Sequence, residues 1–161
     1  MEQPVQNGYL KQLQILCTAL IAGVVFFLII ALVITYTNPN HAVMVGRDAG
    51  MTKILLAVFA VLLLISIGGG YYYAANKKLQ SIPNETDTNA RLNLYRAAFL
   101  IKGASVEAPS FFAIICFILT GNYIFAGIAV ILILLLVSNY PKRDKIAEIC
   151  ELTEEEKANF L

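Results

Sequence analysis

The residue with the clearest capacity for chemistry is Glu107, a carboxylic acid inside the otherwise uncharged apolar stretch 103–120. An ionisable side chain in hydrocarbon is costly, so a membrane segment that keeps one is a candidate functional site. Pro109 follows two residues later, and its ring displaces the helical hydrogen bond to the carbonyl of Ser105. We therefore expect the helix either to kink at Pro109 or to begin close to it.

Small and polar residues accompany this acid. Gly103, Glu107 and Ser110 share one helical face at i, i+4 and i+7. An earlier apolar segment carries three consecutive glycines at the same predicted depth: Gly68, Gly69 and Gly70. Because small residues let helix backbones approach closely in membranes, a helix crossing at this level is one interpretation. The other is a glycine-rich helix end that makes no contact with Glu107.

Three roles are open for Glu107. It follows Lys102 by about one helical turn, so it can lie just below the lipid headgroups and pair with Lys102 or Arg96. It can instead be a buried carboxyl that hydrogen-bonds helices together, where desolvation favours the neutral form. In the third role it is a proton or cation site that alternates between its charged and neutral forms.

Other kinds of site find little support in the sequence. His41 is the only histidine and lies in a turn, far in depth from Glu107, so a metal site or catalytic triad would lack partners. The glycine triplet lacks the Lys-Ser/Thr of a phosphate loop. The cysteines contain no CxxC pattern and are interpreted as reduced and mostly buried: Cys17, Cys116 and Cys150. We expect no enzyme activity, no metal and no cofactor.

The composition indicates that lipid is the solvent. Apolar residues make up 58% of the 161 residues and charged residues 14%, against about 45–50% and 25% in soluble domains. A net charge of +1 gives no reason to expect a nucleic-acid partner. The apolar runs predict an all-α integral membrane protein with four transmembrane helices, at residues 13–36, 54–75, 103–120 and 123–140.

The segments around these spans also have interpretable patterns. Residues 90–102 form an amphipathic lead-in, either lying at the membrane surface or forming the first turns of the third helix. The turn at Gly121 and Asn122 is so short that the third and fourth spans must form an antiparallel hairpin. Residues 141–161 are a cytoplasmic tail with one or two short helices, in which 153–156 fits a capping box. The tail is either a solvated helix or a docking site for a soluble cytoplasmic partner.

The spans also suggest two tandem helical hairpins in parallel repeat. The first span aligns with the third and the second with the fourth, so that Phe26 and Phe27 match Phe111 and Phe112. In this alignment Glu107 has no acidic counterpart in the first hairpin. The carboxylate would then belong to the second hairpin alone.

The stretch from Glu107-Ala-Pro-Ser-Phe-Phe to Leu-Thr-Gly-Asn122, with its basic lead-in, resembles small uncharacterised four-span bacterial inner-membrane proteins, for which no activity is known. A duplicated hairpin with one membrane carboxylate is also similar to the proteolipid rotor subunits of V-type ATPases. In those subunits the acid lies mid-membrane in the second helix of a hairpin. Here Glu107 lies near the start of the first helix of its hairpin, and glycine-rich packing runs are missing.

These observations favour a non-catalytic inner-membrane protein. We expect a small subunit or self-associating component of a membrane assembly, working as a homo-oligomer or with another membrane protein. The alternative is a proton- or cation-translocating transporter component that uses Glu107. A transporter of small solutes or a lipid-binding protein is a third class.

The basic residues predict the orientation. Every Lys and Arg except Arg47 and Lys53 falls on the side that holds the N-terminus, the 76–102 connection and the tail. The positive-inside rule therefore places both termini in the cytoplasm of a bacterial inner membrane.

This orientation predicts the activity of alkaline phosphatase fusions, because the enzyme folds only outside the cytoplasm. A fusion after Ala49 should be active and a fusion after Gln80 inactive, with β-galactosidase fusions at the same sites as the reciprocal control. Active phosphatase at Gln80 would contradict the assigned orientation.

Overall fold

The computed structural model describes residues 8–37 and 49–160, which are almost entirely helical. In chain order the elements are α1 (Tyr9–Thr37), α2 (Ala49–Leu63), a π-helix (Leu64–Ala74), α3 (Ala75–Gln80), a short 3-10 helix (Ile82–Asn84), α4 (Thr88–Thr120), α5 (Tyr123–Ser138), α6 (Arg143–Ile149) and α7 (Glu154–Phe160). The predicted turn that contains His41 lies outside the described residues. The all-helical prediction is confirmed for the described part of the chain.

Three helical stretches are long and apolar enough to cross a membrane: Tyr9–Thr37, Thr52–Asn84 and Thr88–Thr120. The 16 residues of α5 span only about 24 Å, less than the roughly 30 Å of bilayer hydrocarbon. Helix α5 qualifies only together with α6, from which it is bent by 70°. Residues 8–37 and 49–160 thus contain three helices able to span a membrane, or four if the bent pair counts as one span.

Helix α4 is continuous from Thr88 to Thr120, so the lead-in 90–102 forms the first turns of the third helix. The helix does not begin near Pro109, which lies in its interior. The side chain of Asp87 caps its N-terminus by accepting hydrogen bonds from the backbone N–H groups of Asn89 and Ala90. Gly121 ends it with a φ of 64°, a left-handed conformation that suits glycine.

Helix α4 is the centre of the bundle. In its most apolar membrane-length window 56% of the residues are buried, against 6% in the corresponding window of the Thr52–Asn84 stretch. Helices α1, α2 and α5 and the π-helix all pack against it. The main hydrophobic core forms where these contacts meet, around Val24 of α1, Phe59 of α2, Phe117 of α4 and Phe125 of α5. Burial of this apolar surface favours a fixed arrangement of the helices around α4.

The two predicted hairpins are packed differently. Helices α4 and α5 lie along each other, as their two-residue connection requires, and the rings of Phe117 and Tyr123 are 5.3 Å apart at the turn. Helices α1 and α2 instead make little contact with each other, and each packs on α4. The hairpin duplication therefore stays a prediction from sequence.

A second hydrophobic core lies at one end of the bundle, where α1 begins and α5 ends. We call this end of the bundle the basic end, after Arg91, Lys102 and Lys145. The tail contributes Ile146, Ala147, Cys150 and Leu152, which pack against apolar residues of α1 and α4. The hydroxyl of Tyr9 donates a 2.5 Å hydrogen bond to the backbone carbonyl of Leu92 across this core. Burial here raises the pKa of the Cys150 thiol to about 11, so the thiol is protonated at neutral pH. The apolar face of the tail is thus used within the chain itself.

Arg91 joins the tail to α4 by polar contacts. Its guanidinium donates hydrogen bonds of 2.9 Å and 3.1 Å to the backbone carbonyls of Cys150 and Glu151. It also lies 3.6 Å from the carboxylate of Glu156, which accepts a hydrogen bond from Thr88. The predicted capping box is present at the start of α7, where Thr153 and Glu156 bond each other's backbone N–H groups.

Replacing Arg91 should release the tail. In Arg91→Ala, the part-buried carbonyl of Cys150 and the exposed carbonyl of Glu151 lose a charged donor. The loss should raise the population of the released tail about tenfold. Limited proteolysis of the detergent-solubilised protein with Glu-C should therefore cleave the tail about tenfold faster. Arg96→Ala, which removes an exposed arginine of the same helix, is the control and should behave as wild type. Equal cleavage of both variants would show that the second core alone holds the tail.

Acid should have a similar effect on the tail. Hydrogen bonds from Thr88 and from the backbone of Thr153 hold the pKa of Glu156 below its usual range. The folded state therefore favours the ionised carboxylate, and the contribution of that carboxylate to tail docking is complete near neutral pH. This contribution is lost as the pH falls below about 4. Limited proteolysis with pepsin, which is active in acid, measures this release, and Glu156→Gln should remove this part of its pH dependence.

Candidate functional site

Glu107 lies at the border between the buried and exposed faces of α4. Val106 and Ser110 beside it are buried, whereas Ala104 and Ala108 are exposed, and Glu107 itself is half-buried. Among the described residues, no hydrogen bond or ion pair involves its carboxylate. The ion pairs within the described residues are Arg91–Glu156 and Lys157–Glu154, and neither includes Glu107. The half-buried carboxyl group therefore has no partner in the described part of the bundle.

Lys102, which the sequence offered as a partner for Glu107, has a different neighbour. Its ammonium group lies 5.3 Å from the centre of the Tyr71 ring, within the range of a cation–π interaction. Arg96 is exposed and is not paired with Glu107 either. Two of the predicted roles of Glu107 are therefore not seen among the described residues. Glu107 is not paired with Lys102 or Arg96, and it does not hydrogen-bond to a neighbouring helix.

Pro109 produces a polar contact between helices. Its ring leaves the carbonyl oxygen of Ser105 without the usual donor four residues on. The hydroxyl of Ser66, in the π-helix, donates a 2.8 Å hydrogen bond to that oxygen. A carbonyl that hydrocarbon would leave unpaired is thus satisfied from the neighbouring helix.

The glycine triplet meets α4 through one member only. A Cβ built on Gly70 would collide with the Ser105 hydroxyl and lie 3.1 Å from the Ser105 Cβ, so the π-helix and α4 are in close contact here. A Cβ on Gly68 or Gly69 would meet nothing within 4 Å. The glycine triplet therefore does form a close helix crossing. The residue of α4 at this crossing is Ser105, which the sequence pattern did not identify.

The predicted stripe of Gly103, Glu107 and Ser110 does not act as one surface. Gly103 faces α1, where a Cβ would lie 3.1 Å from Cδ1 of Leu20. Ser110 is fully buried and donates a 2.7 Å hydrogen bond to the Val106 carbonyl of its own helix. Glu107 is separate from both. Helical spacing placed the three residues on one side of α4. Neighbouring helices bury Gly103 and Ser110 on that side but leave Glu107 half-buried.

Sequence reasoning missed a polar network beside Lys102. The hydroxyl of Tyr71 donates a 2.8 Å hydrogen bond to Oδ1 of Asn139, and the Asn139 amide donates to the carbonyl of Leu135. Tyr72 and Tyr73 beside it are exposed, whereas Tyr71 is half-buried. The one sequence feature that could have predicted this network was Asn139, an amide side chain near the end of the apolar run 123–140.

No three His, Cys, Asp or Glu side chains come together as a metal site in residues 8–37 and 49–160. Comparison of the chain with protein-family models, with curated proteins and with solved structures finds no match.

The contact at Gly70 is open to a direct test. Gly70→Ala should lower the free energy of unfolding by about 1–3 kcal/mol, because the new methyl group overlaps Ser105. Gly69→Ala is the matched control and should be neutral or stabilising by up to about 1 kcal/mol, since its site is open and alanine favours a helix. Thermal unfolding in detergent, followed by circular dichroism, measures both.

A double variant locates the cause of the effect. Adding Ser105→Ala to Gly70→Ala removes the hydroxyl that the methyl group meets, so it should recover part of the lost stability. If both alanine variants at positions 69 and 70 behave alike, the helices are not in close contact at Gly70.

Proposed function

We propose that this protein is a non-catalytic, self-associating component of a bacterial cytoplasmic membrane, in which Glu107 hydrogen-bonds to a second copy of the chain. The protein would span the membrane four times, with residues 123–140 as the last span and both termini and the tail in the cytoplasm. The observation that carries the proposal is the half-buried carboxyl group without a partner among the described residues.

The cost of an unpaired carboxyl in lipid supports an interaction between chains. A polar group in hydrocarbon is stabilised when a neighbouring helix offers it a hydrogen bond. The side of α4 that carries Glu107 also exposes Ala104 and Ala108. Small residues at these positions leave room for another helix to approach the carboxyl closely.

The surface of the Thr52–Asn84 stretch supports association as well. Large apolar side chains on it are exposed, among them Val58, Leu64 and Ile65. Gly68 and Gly69 interrupt this surface and have open space around them. A surface of this kind suits lipid and also suits a second helix that packs against the glycines.

Proton or cation translocation through Glu107 is the second candidate. It is favoured by the π-helix Leu64–Ala74, which is hydrogen-bonded to α4 two residues before Glu107. π-Helical turns are rare and occur often at functional sites. In this function the carboxyl group would exchange a proton or bind a cation in place of the partner chain.

Fluorescence energy transfer between labelled copies in liposomes tests self-association. Glu107→Ala removes the hydrogen-bonding group and should weaken association about threefold to thirtyfold, the range of one interhelical hydrogen bond in a membrane. Glu107→Gln keeps a hydrogen-bonding side chain and should associate nearly as well as wild type. Glu148→Ala removes an exposed carboxylate of α6 and is the control.

The outcomes separate the two candidates. Unchanged association in Glu107→Ala would refute the self-association proposal. Carbodiimide labelling of membranes tests the alternative: an adduct on Glu107 that depends on pH and is prevented by Na⁺ supports ion binding. An unreactive carboxyl, together with retained association in Glu107→Gln, refutes ion translocation.

A further inference from the structure

A small cavity lies at the basic end of the bundle, where the membrane-length helices meet the tail. Its volume is about 40 Å³, room for about three water molecules or one phosphate group. The walls come from α1, α3, α4, α5 and α6. Most of the lining is apolar, including Leu20, Phe99, Leu136 and Ile149.

The polar groups in this lining favour an anion. Lys102 of α4 and Lys145 of α6 both line the cavity, and no carboxylate does. Asn139 is also present, and its amide nitrogen donates to the carbonyl of Leu135, which leaves its second N–H for another acceptor. Two ammonium groups around one space repel each other, and a bound anion removes this cost.

The position of Lys102 is set by the surrounding structure. Its ammonium group lies against the ring of Tyr71, and the hydroxyl of Tyr71 is held by Asn139. A cation–π contact leaves the N–H groups of the ammonium free to donate on the side away from the ring. Lys145 is exposed on α6, at the outer side of the cavity. One cation is therefore held in place against Tyr71, and the other lies on the exposed side of α6.

We propose that this cavity binds the phosphate of an anionic phospholipid. Lys102, Lys145 and the Asn139 amide would donate to the phosphate oxygens, and the apolar lining would contact the adjoining part of the lipid. Basic pockets between membrane helices near the cytoplasmic surface are suited to such headgroups. The cavity has the charge and the size for a phosphate, and its place beside the membrane-length helices favours a lipid as the source.

Native mass spectrometry of the full chain in a neutral detergent tests this site. Phosphatidylglycerol is titrated against the protein, with phosphatidylcholine as the neutral reference lipid. Wild type should retain one phosphatidylglycerol molecule more tightly than phosphatidylcholine. Lys102→Gln and Lys145→Gln should each weaken that binding about fivefold, the effect of one basic residue near an anionic membrane surface.

The control is Lys78→Gln, which removes an exposed lysine of α3 that does not line the cavity. It should bind phosphatidylglycerol as wild type does. Lys145→Arg keeps the charge and should retain most of the binding. If Lys102→Gln does not fold, judged by its circular dichroism, the exposed Lys145 still provides the comparison.

Two results would overturn the proposal. Equal loss of phosphatidylglycerol in Lys78→Gln and the cavity variants would mean that lipid binds the basic surface without a specific site. Binding of inorganic phosphate that displaces the lipid, with no preference for phosphatidylglycerol over phosphatidylcholine, would identify a free anion as the ligand.

Discussion

The carbonyl oxygen of Ser105 requires a donor from outside its own helix, and the position of the π-helix against α4 depends on this. Pro109 removes the normal donor, and water is absent from the hydrocarbon region. The hydroxyl of Ser66 supplies the missing bond at 2.8 Å. Because Gly70 has no side chain, the two backbones come close enough for this bond to form. A proline that weakens α4 locally therefore attaches the neighbouring helix to it.

The polar groups of α4 are satisfied in different ways along its length. At the basic end, Arg91 bonds to the tail and Lys102 lies over the Tyr71 ring. Deeper in the helix, Ser110 bonds to its own backbone. Glu107 lies between these regions and has no such partner in the described part of the chain. This contrast, rather than the presence of an acid alone, makes Glu107 the candidate contact with another molecule.

The basic end combines two properties. It has a hydrophobic core that includes Tyr9 and Ile146, and it has a cavity lined by two lysines. The tail helix α6 contributes to both, since Ile146 lies in the core and Lys145 lines the cavity. The docked tail and the proposed anion site thus share one short helix. A lipid phosphate held by Lys102 and Lys145 would also join α6 to α4.

The helical segments and their ends were largely determined by the sequence. Hydropathy, the cap at Asp87 and the turn at Gly121 act over a few neighbouring residues, so they are readable without knowledge of the fold. The limits of the local signal appear at Pro109, one of two expected outcomes being a helix start. The helix starts at Thr88 instead and passes through Pro109. The carbonyl that the proline leaves without its usual donor is bonded by Ser66 of another element.

The partner of each polar side chain was decided only by the tertiary structure. Lys102 lies close to Glu107 in sequence, yet it contacts Tyr71, and the tail is bound by Arg91, which is far from it in the chain. These contacts depend on the rotation and depth at which whole helices pack, which the summed burial of many side chains determines. Sequence spacing identifies which residues share a helical face. Only the packed bundle determines what covers that face, and it leaves Glu107 half-buried with no partner among the described residues.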